Sequence, residues 1–499
     1  MTTFTEKLSK DVLGYLPAKV IPAVTQFATV LVFTTLLTPS QYGDYTVVLT
    51  TVSFVIIFLS SWLRQSILRY FEQSSNENSI RPLLSTLLNA YFLIYIVLFV
   101  IWVGGLLVLD RHFTTRLVLP LFLGVFIVGG NGLFMLLTAI RRVENNIIRY
   151  STFTCLNTVL QLLVGAALIY YTPFDVVGAL IGMILVTGLL SAIELRHLYK
   201  LGNYSPKYFS FKKLKQSYEF GVPFIGSQLS GKVLELADNY LIFFFLGSVT
   251  VGKYAAGYSI FYRIIFFIFS LLSLAAYPEV VKTFENNGSE AASESISVTV
   301  RAYLLIAFPA AFGLIAIGPE LVQTVLDSEY SGSTVIIPWV VLGTFFYGLG
   351  QLSTYPIQLM EKTRWLPIIL SVAAVSNLLL NVLLIPYHGI AGAAIATLIS
   401  YLLYFILTTF ISNKIMVWEY PYYLSIKCLL ASMIVWLSVS YLSVHFRGLI
   451  FLTVALPSGI VLYAVLLLVL RVNEFEQIIS RSRQEIGLLT ESADSNDLD

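Results

Sequence analysis

The chain has 499 residues, of which 57% are hydrophobic and 12% charged, with a formal net charge of +2. A soluble globular protein carries roughly 25% charged residues, so a mean hydropathy of +0.82 excludes a water-facing domain of this length. The near-neutral balance also excludes nucleic acid as an expected partner.

Apolar runs of about 20 residues have the length that a bilayer requires. Six fall at 16–37, 45–68, 83–109, 117–140, 152–171 and 176–195. A polar stretch with Lys207, Lys212, Lys213 and Lys215 follows, then six more runs at 220–246, 254–276, 298–317, 335–360, 366–385 and 389–410. Two last runs, 424–444 and 449–470, precede an acidic tail without aromatics, which is expected to be disordered. The first run follows Lys7 and Lys10, but it is too long for a signal peptide and has no small-residue cleavage site. It reads as a retained first span. The expectation is an all-α polytopic membrane protein with about fourteen transmembrane helices.

Charge placement tests that count, because Lys and Arg are retained on the cytoplasmic side. With the N-terminus inside, only Arg111, Arg116, Lys253 and Arg447 of the 30 Lys and Arg fall outside; Lys19, Lys232 and Arg263 lie within spans, and Arg64, Arg301 and Lys427 at cytoplasmic span ends. Both termini are therefore expected in the cytoplasm. Cys155 and Cys428 lie far apart in apolar segments and make no disulfide framework or metal-ligand spacing.

The spans also repeat. Tyr42-Gly43-Asp44-Tyr45 precedes span two, and Val251-Gly252-Lys253-Tyr254 precedes span eight. Their polar exits, Tyr70-Phe71-Glu72-Gln73 and Thr283-Phe284-Glu285-Asn286, are related as well. A weaker echo links Val177-Gly178-Ala179-Leu180-Ile181 with Ala391-Gly392-Ala393-Ala394-Ile395. A six-helix repeat keeps its orientation, as in parallel-repeat transporters. This predicts a six-helix lobe over 1–213, a second over 214–413, two added helices over 414–470 and a cytoplasmic tail over 471–499. The two pseudo-symmetric lobes are expected to enclose a central cavity.

Several motifs carry a family resemblance. They are Leu37-Thr38-Pro39-Ser40-Gln41-Tyr42-Gly43, Gly221-Val222-Pro223, and Asp238-Asn239-Tyr240-Leu241-Ile242. The most specific stretch runs from Asn377-Leu378-Leu379-Leu380-Asn381 through Pro386 to Gly389-Ile390-Ala391-Gly392-Ala393-Ala394-Ile395-Ala396-Thr397. From about Gly14 to about Arg471 the chain resembles the polysaccharide transport family, the O-antigen or oligosaccharide flippases of the MOP flippase superfamily. The resemblance implies alternating access that moves a polyprenyl-diphosphate-linked oligosaccharide from the inner to the outer leaflet of the cell membrane. Surface polysaccharide or lipopolysaccharide synthesis would follow, beside a glycan polymerase or glycosyltransferases.

Such a substrate needs a hydrated cationic cavity for its head. Arg suits phosphate through its planar donor fork, Lys as a point charge, and either one is costly at mid-membrane when unpaired. Arg263, deep in span eight, is the first candidate for the diphosphate, against a structural ion pair. Lys19 either lines the cavity or snorkels to the surface. Arg64, with Arg69, either captures diphosphate or anchors the cytoplasmic end of span two.

Span seven is the most polar helix. Gln228, Lys232, Glu235 and Asn239 recur at spacings of four, three and four and share one face. Lys232 is a further cavity candidate, although an intrahelical pair with Glu235 is the simplest account. Glu235 or Asp238 is a candidate site for H+ or Na+ coupling. Pro17, Pro22, Pro223, Pro338 and Pro356 read as ordinary kinks, against flexible points of a rocking transporter, and Gly392-Ala393-Ala394 as close helix packing.

No nucleophile–base arrangement, metal cluster or Walker motif is present in the sequence, so no enzyme, cofactor or metal is expected. Two other functions compete. A multidrug or cation antiporter of the same superfamily would favour an acidic first lobe, whereas the charges inside those spans reduce to Lys19, Glu194 and, at the cytoplasmic end of span two, Arg64. A non-transporting scaffold for glycan assembly would not need the polar face of span seven.

Overall fold

The computed structural model describes residues 16–76, 80–109 and 115–476. Lys7, Lys10, Arg111 and the tail from 477 onward lie outside the described residues. Among the described residues the chain is all-α, with no strand. In order the helices are α1 (Pro17–Leu36), α2 (Pro39–Ile56), α3 (Trp62–Asn76), α4 (Ile80–Leu109), α5 (Thr115–Val143), α6 (Ile147–Tyr171) and α7 (Asp175–Lys200). Then come α8 (Phe211–Gly221), α9 (Pro223–Leu246), α10 (Ser248–Val325), α11 (Ile337–Leu352), α12 (Tyr355–Leu359), α13 (Trp365–Ile415), α14 (Tyr422–Leu442) and α15 (Gly448–Val469).

Among the described residues, 11 helical segments are long and apolar enough to cross a membrane. Two of them hold a pair of expected spans each. The helix α10 breaks at Gly288 (φ 82°) and α13 at Gly389 (φ 58°), left-handed conformations that favour glycine. The polar helix α9, with Lys232, Glu235 and Asp238, supplies span seven. Every expected span thus has its helix. The polar segment between spans eight and nine is helical as well, so α10 extends well beyond the apolar runs.

The chain divides into two compact units, one of 1–263, 326–336 and 366–400 and the other of the remaining residues. In the first unit α1 packs on α6, and α7 packs on both α5 and α6. Phe134, Val186 and Leu190 form a buried cluster there, covered by Phe153, Leu160 and Val164. Lipid is as apolar as these side chains, so close packing and interhelical hydrogen bonds hold such helices together.

One such set of bonds lies in the most specific sequence motif. The buried Asn377 Nδ2 donates to Thr397 Oγ1 (3.4 Å), and Asn381 Nδ2 donates to Asn377 Oδ1 (3.0 Å). A Cβ on Gly392 would lie 2.4 Å from the Leu384 carbonyl oxygen. The motif therefore clamps the two halves of α13 together.

The segment after α7 is held to α4. Ser205 N donates to Ser85 Oγ (3.0 Å), Ser210 N to Thr86 Oγ1 (2.9 Å), and Arg81 lies over the Tyr208 ring at 4.4 Å. Burial in this segment pushes the Tyr204 hydroxyl pKa up.

The second unit is rich in aromatic contacts. Tyr347 lies 4.7 Å from Tyr401 and 5.4 Å from Tyr404, and the Tyr303 hydroxyl donates to the Phe345 carbonyl at 3.1 Å. The last two helices, α14 and α15, pack on each other as a hairpin.

Candidate functional site

A cavity of about 370 Å³ opens within the first unit, between α1, α3, α5 and α6. Its cationic groups are Arg64 of α3 and Arg142 of α5, and Gln26, Asn131, Asn157 and Gln161 supply amides. No carboxylate lines it among the described residues.

Local sequence explains how each side chain arrives. Pro22 lies inside α1, one turn before Gln26, and withholds the backbone N–H that would close the turn on Ala18. The start of α2 is fixed by a capping box. Thr38 N donates to Gln41 Oε1 (2.9 Å), Gln41 N donates to Thr38 Oγ1 (3.4 Å), and Pro39 stands at the first helical position. A five-residue π-helical turn, Ile57–Ser61, joins α2 to α3 and comes just before Arg64. Such turns insert an extra residue and re-aim the side chains that follow.

Arg141 and Arg142 are consecutive, so their side chains leave α5 about 100° apart. Arg141 turns inward. Its Nε lies 2.5 Å from Glu194 Oε2 and its guanidinium 2.6 Å from Glu144 Oε2, while Arg149 Nε lies 2.6 Å from Glu194 Oε1. Glu194 is 1% exposed, so two guanidinium groups hold one buried carboxylate. Removing one partner of such a set is costly, because it strands buried charge. This network secures the start of α6 beside α5 and leaves Arg142 to the cavity. No Glu or Asp is paired with Arg64 or Arg142 among the described residues.

The sequence candidates separate into three groups. Arg64 lines the cavity. Half-buried Arg263 reaches its rim indirectly, since its guanidinium donates to Gln26 Oε1. The side chains of Tyr42, Tyr45, Tyr262 and Glu235 are its electrostatic neighbours. Exposed Lys19 lies seven residues before Gln26 on α1 and so shares its face.

Lys232, Glu235 and Asp238 do not line the cavity. Lys232 Nζ lies 2.8 Å from Glu235 Oε2, within one helix. Asp238 is buried and accepts a hydrogen bond from the Tyr254 hydroxyl. The same helix is tied to α2 by Asn239 Nδ2 to Thr50 Oγ1 (3.2 Å) and Tyr240 OH to Thr51 Oγ1 (2.7 Å). Arg69 stands over the Phe220 ring at 6.0 Å, a packing contact.

Arg142 and the amides are additions to the sequence candidates. Tyr150, Thr154, Asn157 and Gln161 repeat at four, three and four along α6, the same spacing as the polar face of α9. That periodicity is a usable sequence signal, but it carries no charge to draw notice.

The many apolar helices mark a multi-pass membrane protein, and its arginine-bearing cavity has no carboxylate in its lining among the described residues. Comparison with known proteins specifies the kind. The family described as "Polysaccharide biosynthesis protein" matches residues 8–284, more than half of the chain, and the MatE family matches 223–383. The chain belongs to the polysaccharide biosynthesis protein family, within the MOP type of transporter.

Among curated proteins it is 24% identical over 193 residues to the probable low-salt glycan biosynthesis flippase Agl15 of Haloferax volcanii. That match covers 38% of this chain and 40% of the relative's length. Two solved structures share the fold. The lipid II flippase MurJ in an inward closed conformation has a TM-score of 0.75 at 15% identity, covering 93% of this chain and 98% of that one. An inward-facing multidrug resistance MATE family transporter of the MOP superfamily has a TM-score of 0.63 at 15% identity, covering 80% and 97%. Identities this low speak for the fold alone.

Proposed function

We propose that the protein is a flippase for a polyprenyl-diphosphate-linked oligosaccharide, moving it from the inner to the outer leaflet of the cell membrane for surface polysaccharide synthesis. One observation carries the reading: Arg64 and Arg142 share a cavity with no carboxylate among the described residues, and Gln26 links that cavity to Arg263. Two guanidinium groups without acidic partners in a low-dielectric setting attract a dianionic head such as a diphosphate. The amides beside them suit a polar glycan. Lys19, on the same α1 face as Gln26, would meet the substrate on its way in.

In this reading the six-helix lobes 1–213 and 214–413 rock about the substrate, with both termini in the cytoplasm and α14 and α15 outside the repeat. Glu235 or Asp238 would couple the cycle to H+ or Na+, with Lys232 as the ion-pair partner of Glu235. A glycan polymerase and glycosyltransferases are the partners this role calls for.

Cation antiport is the competing reading, favoured by the MatE match over 223–383. Its weakness is electrostatic, since Arg64 and Arg142 repel an organic cation. Removal of the protein from cells distinguishes the two. The flippase reading expects a polyprenyl-diphosphate oligosaccharide to accumulate with its glycan facing the cytoplasm. Unchanged lipid-linked intermediates, together with new sensitivity to cationic drugs, would contradict it.

A further inference from the structure

The hydrogen bonds on the α6 wall of the cavity form a closed set. Gln161 Nε2 donates to Thr187 Oγ1 (2.6 Å) and approaches Asn157 Oδ1 (3.3 Å), while Thr187 Oγ1 donates to Asn157 Oδ1 (3.1 Å). Thr187 is 1% exposed, so the set is anchored in the core. This arrangement fixes both amides and consumes only half of each. Asn157 Nδ2 and Gln161 Oε1 have no hydrogen-bond partner among the described residues, nor does the side chain of Asn131. All three residues are half-buried and line the cavity.

Unpaired amide groups within a membrane-spanning bundle are costly unless something polar meets them. A fixed N–H donor next to a fixed C=O acceptor matches the alternating donors and acceptors of a pyranose. Phe134 of α5 also borders the cavity, with most of its ring in the buried cluster with Val186 and Leu190. The volume, about 370 Å³, lies within the small-molecule range of roughly 300–1,000 Å³. Cation binding is disfavoured, since no carboxylate contributes to the wall among the described residues.

We propose that Asn157, Gln161 and Asn131 form a subsite for the sugar attached directly to the diphosphate, and that they set which sugar is accepted. The inference rests on the flippase reading, in which Arg64 and Arg142 hold the diphosphate of the same molecule. Thr187 is a positioning residue, holding the two α6 amides in register without touching the sugar.

The test is binding to the purified full-length protein in nanodiscs. The probes are bare undecaprenyl diphosphate and its glucosyl, galactosyl, N-acetylglucosaminyl and N-acetylgalactosaminyl conjugates. At least one conjugate should bind roughly tenfold more tightly than the bare diphosphate, the worth of about two hydrogen bonds. Combined Asn157→Leu and Gln161→Leu substitution should collapse that ratio toward one. Asn131→Leu removes no hydrogen bond made within the described protein, so it tests the subsite with little risk to folding and should also lower the ratio. An unchanged ratio in both variants would overturn the inference, as would wild-type protein that binds no conjugate better than bare diphosphate. Failure of wild-type protein to bind bare undecaprenyl diphosphate at all would instead overturn the diphosphate reading, and this inference with it.

Discussion

Gly43 of α2 and Gly252 of α10 face one another where the two helices cross, and each leaves room only for the other's backbone. A Cβ on Gly43 would lie 1.9 Å from the Ser248 carbonyl oxygen and 3.0 Å from Gly252 N. A Cβ on Gly252 would lie 1.9 Å from the Pro39 carbonyl oxygen and 3.1 Å from Gly43 N. These glycines occupy equivalent places in the repeated Tyr-Gly-Asp-Tyr and Val-Gly-Lys-Tyr motifs, so the repeat meets itself at this contact. Beside it Asp44 accepts from Ser248 Oγ at 2.5 Å and lies 3.1 Å from Arg116 Nε.

Alanine at either glycine must push two backbones apart, because the obstruction is a carbonyl and not a flexible side chain. Gly43→Ala and Gly252→Ala should each destabilise the purified protein by about 1–3 kcal/mol, the usual cost of overpacking. Gly105→Ala is the control, since nothing lies within 4 Å of its added Cβ. Thermal unfolding in detergent reads the difference. Equal melting of the Gly43 and Gly105 variants would mean that the crossing is loose.

The Asn377–Asn381–Thr397 set predicts a purely structural effect. Asn377→Ala should cost about 1 kcal/mol, in line with interhelical hydrogen bonds measured in membranes. Its melting temperature should fall while affinity for undecaprenyl diphosphate stays at the wild-type value. A selective loss of affinity without destabilisation would place the motif in substrate handling.

Span positions are legible in the sequence because apolar length is a local property, and bilayer thickness sets its scale. The helical continuation of spans eight and nine up to the break at Gly288 is not, since the polar residues between them lack the apolar length that marks a span. The site is legible only in part. Arg64 and Arg263 stand out because charge within an apolar helix is costly. Arg141 and Glu194, 53 positions apart, and Gln26 and Arg263, 237 apart, meet through tertiary packing that no periodicity predicts. Asn157 and Gln161 do show helical spacing, but uncharged amides do not separate a cavity wall from an interhelical clamp such as Asn377.

Topology follows from the charge distribution. Cysteine at Lys212 and at Ser331, both exposed positions, should label from opposite faces in cells. Lys212→Cys should react only after the membrane is permeabilised, Ser331→Cys without permeabilisation. Labelling of both from one side would remove the proposed orientation.

Ion coupling predicts that Glu235→Gln and Asp238→Asn fold normally but alter how transport depends on pH or sodium. Neutralising Glu235 leaves Lys232 without its partner at 2.8 Å, and Asp238→Asn removes the carboxylate that accepts from Tyr254. Transport assayed across a pH series and with sodium replaced by potassium reads the effect. Unchanged profiles in both variants would make the polar face of α9 structural.

The most direct test of a cationic route for the diphosphate is translocation by Arg263 variants in proteoliposomes. The substrate is a fluorescent polyprenyl-diphosphate sugar, and its exposure is read by an externally added glycan-modifying enzyme. Arg263→Ala should abolish translocation in protein that reconstitutes at wild-type levels. Arg263→Lys should retain part of it, because charge remains while the guanidinium fork is lost. Wild-type translocation rates in well-folded Arg263→Ala protein would contradict the account.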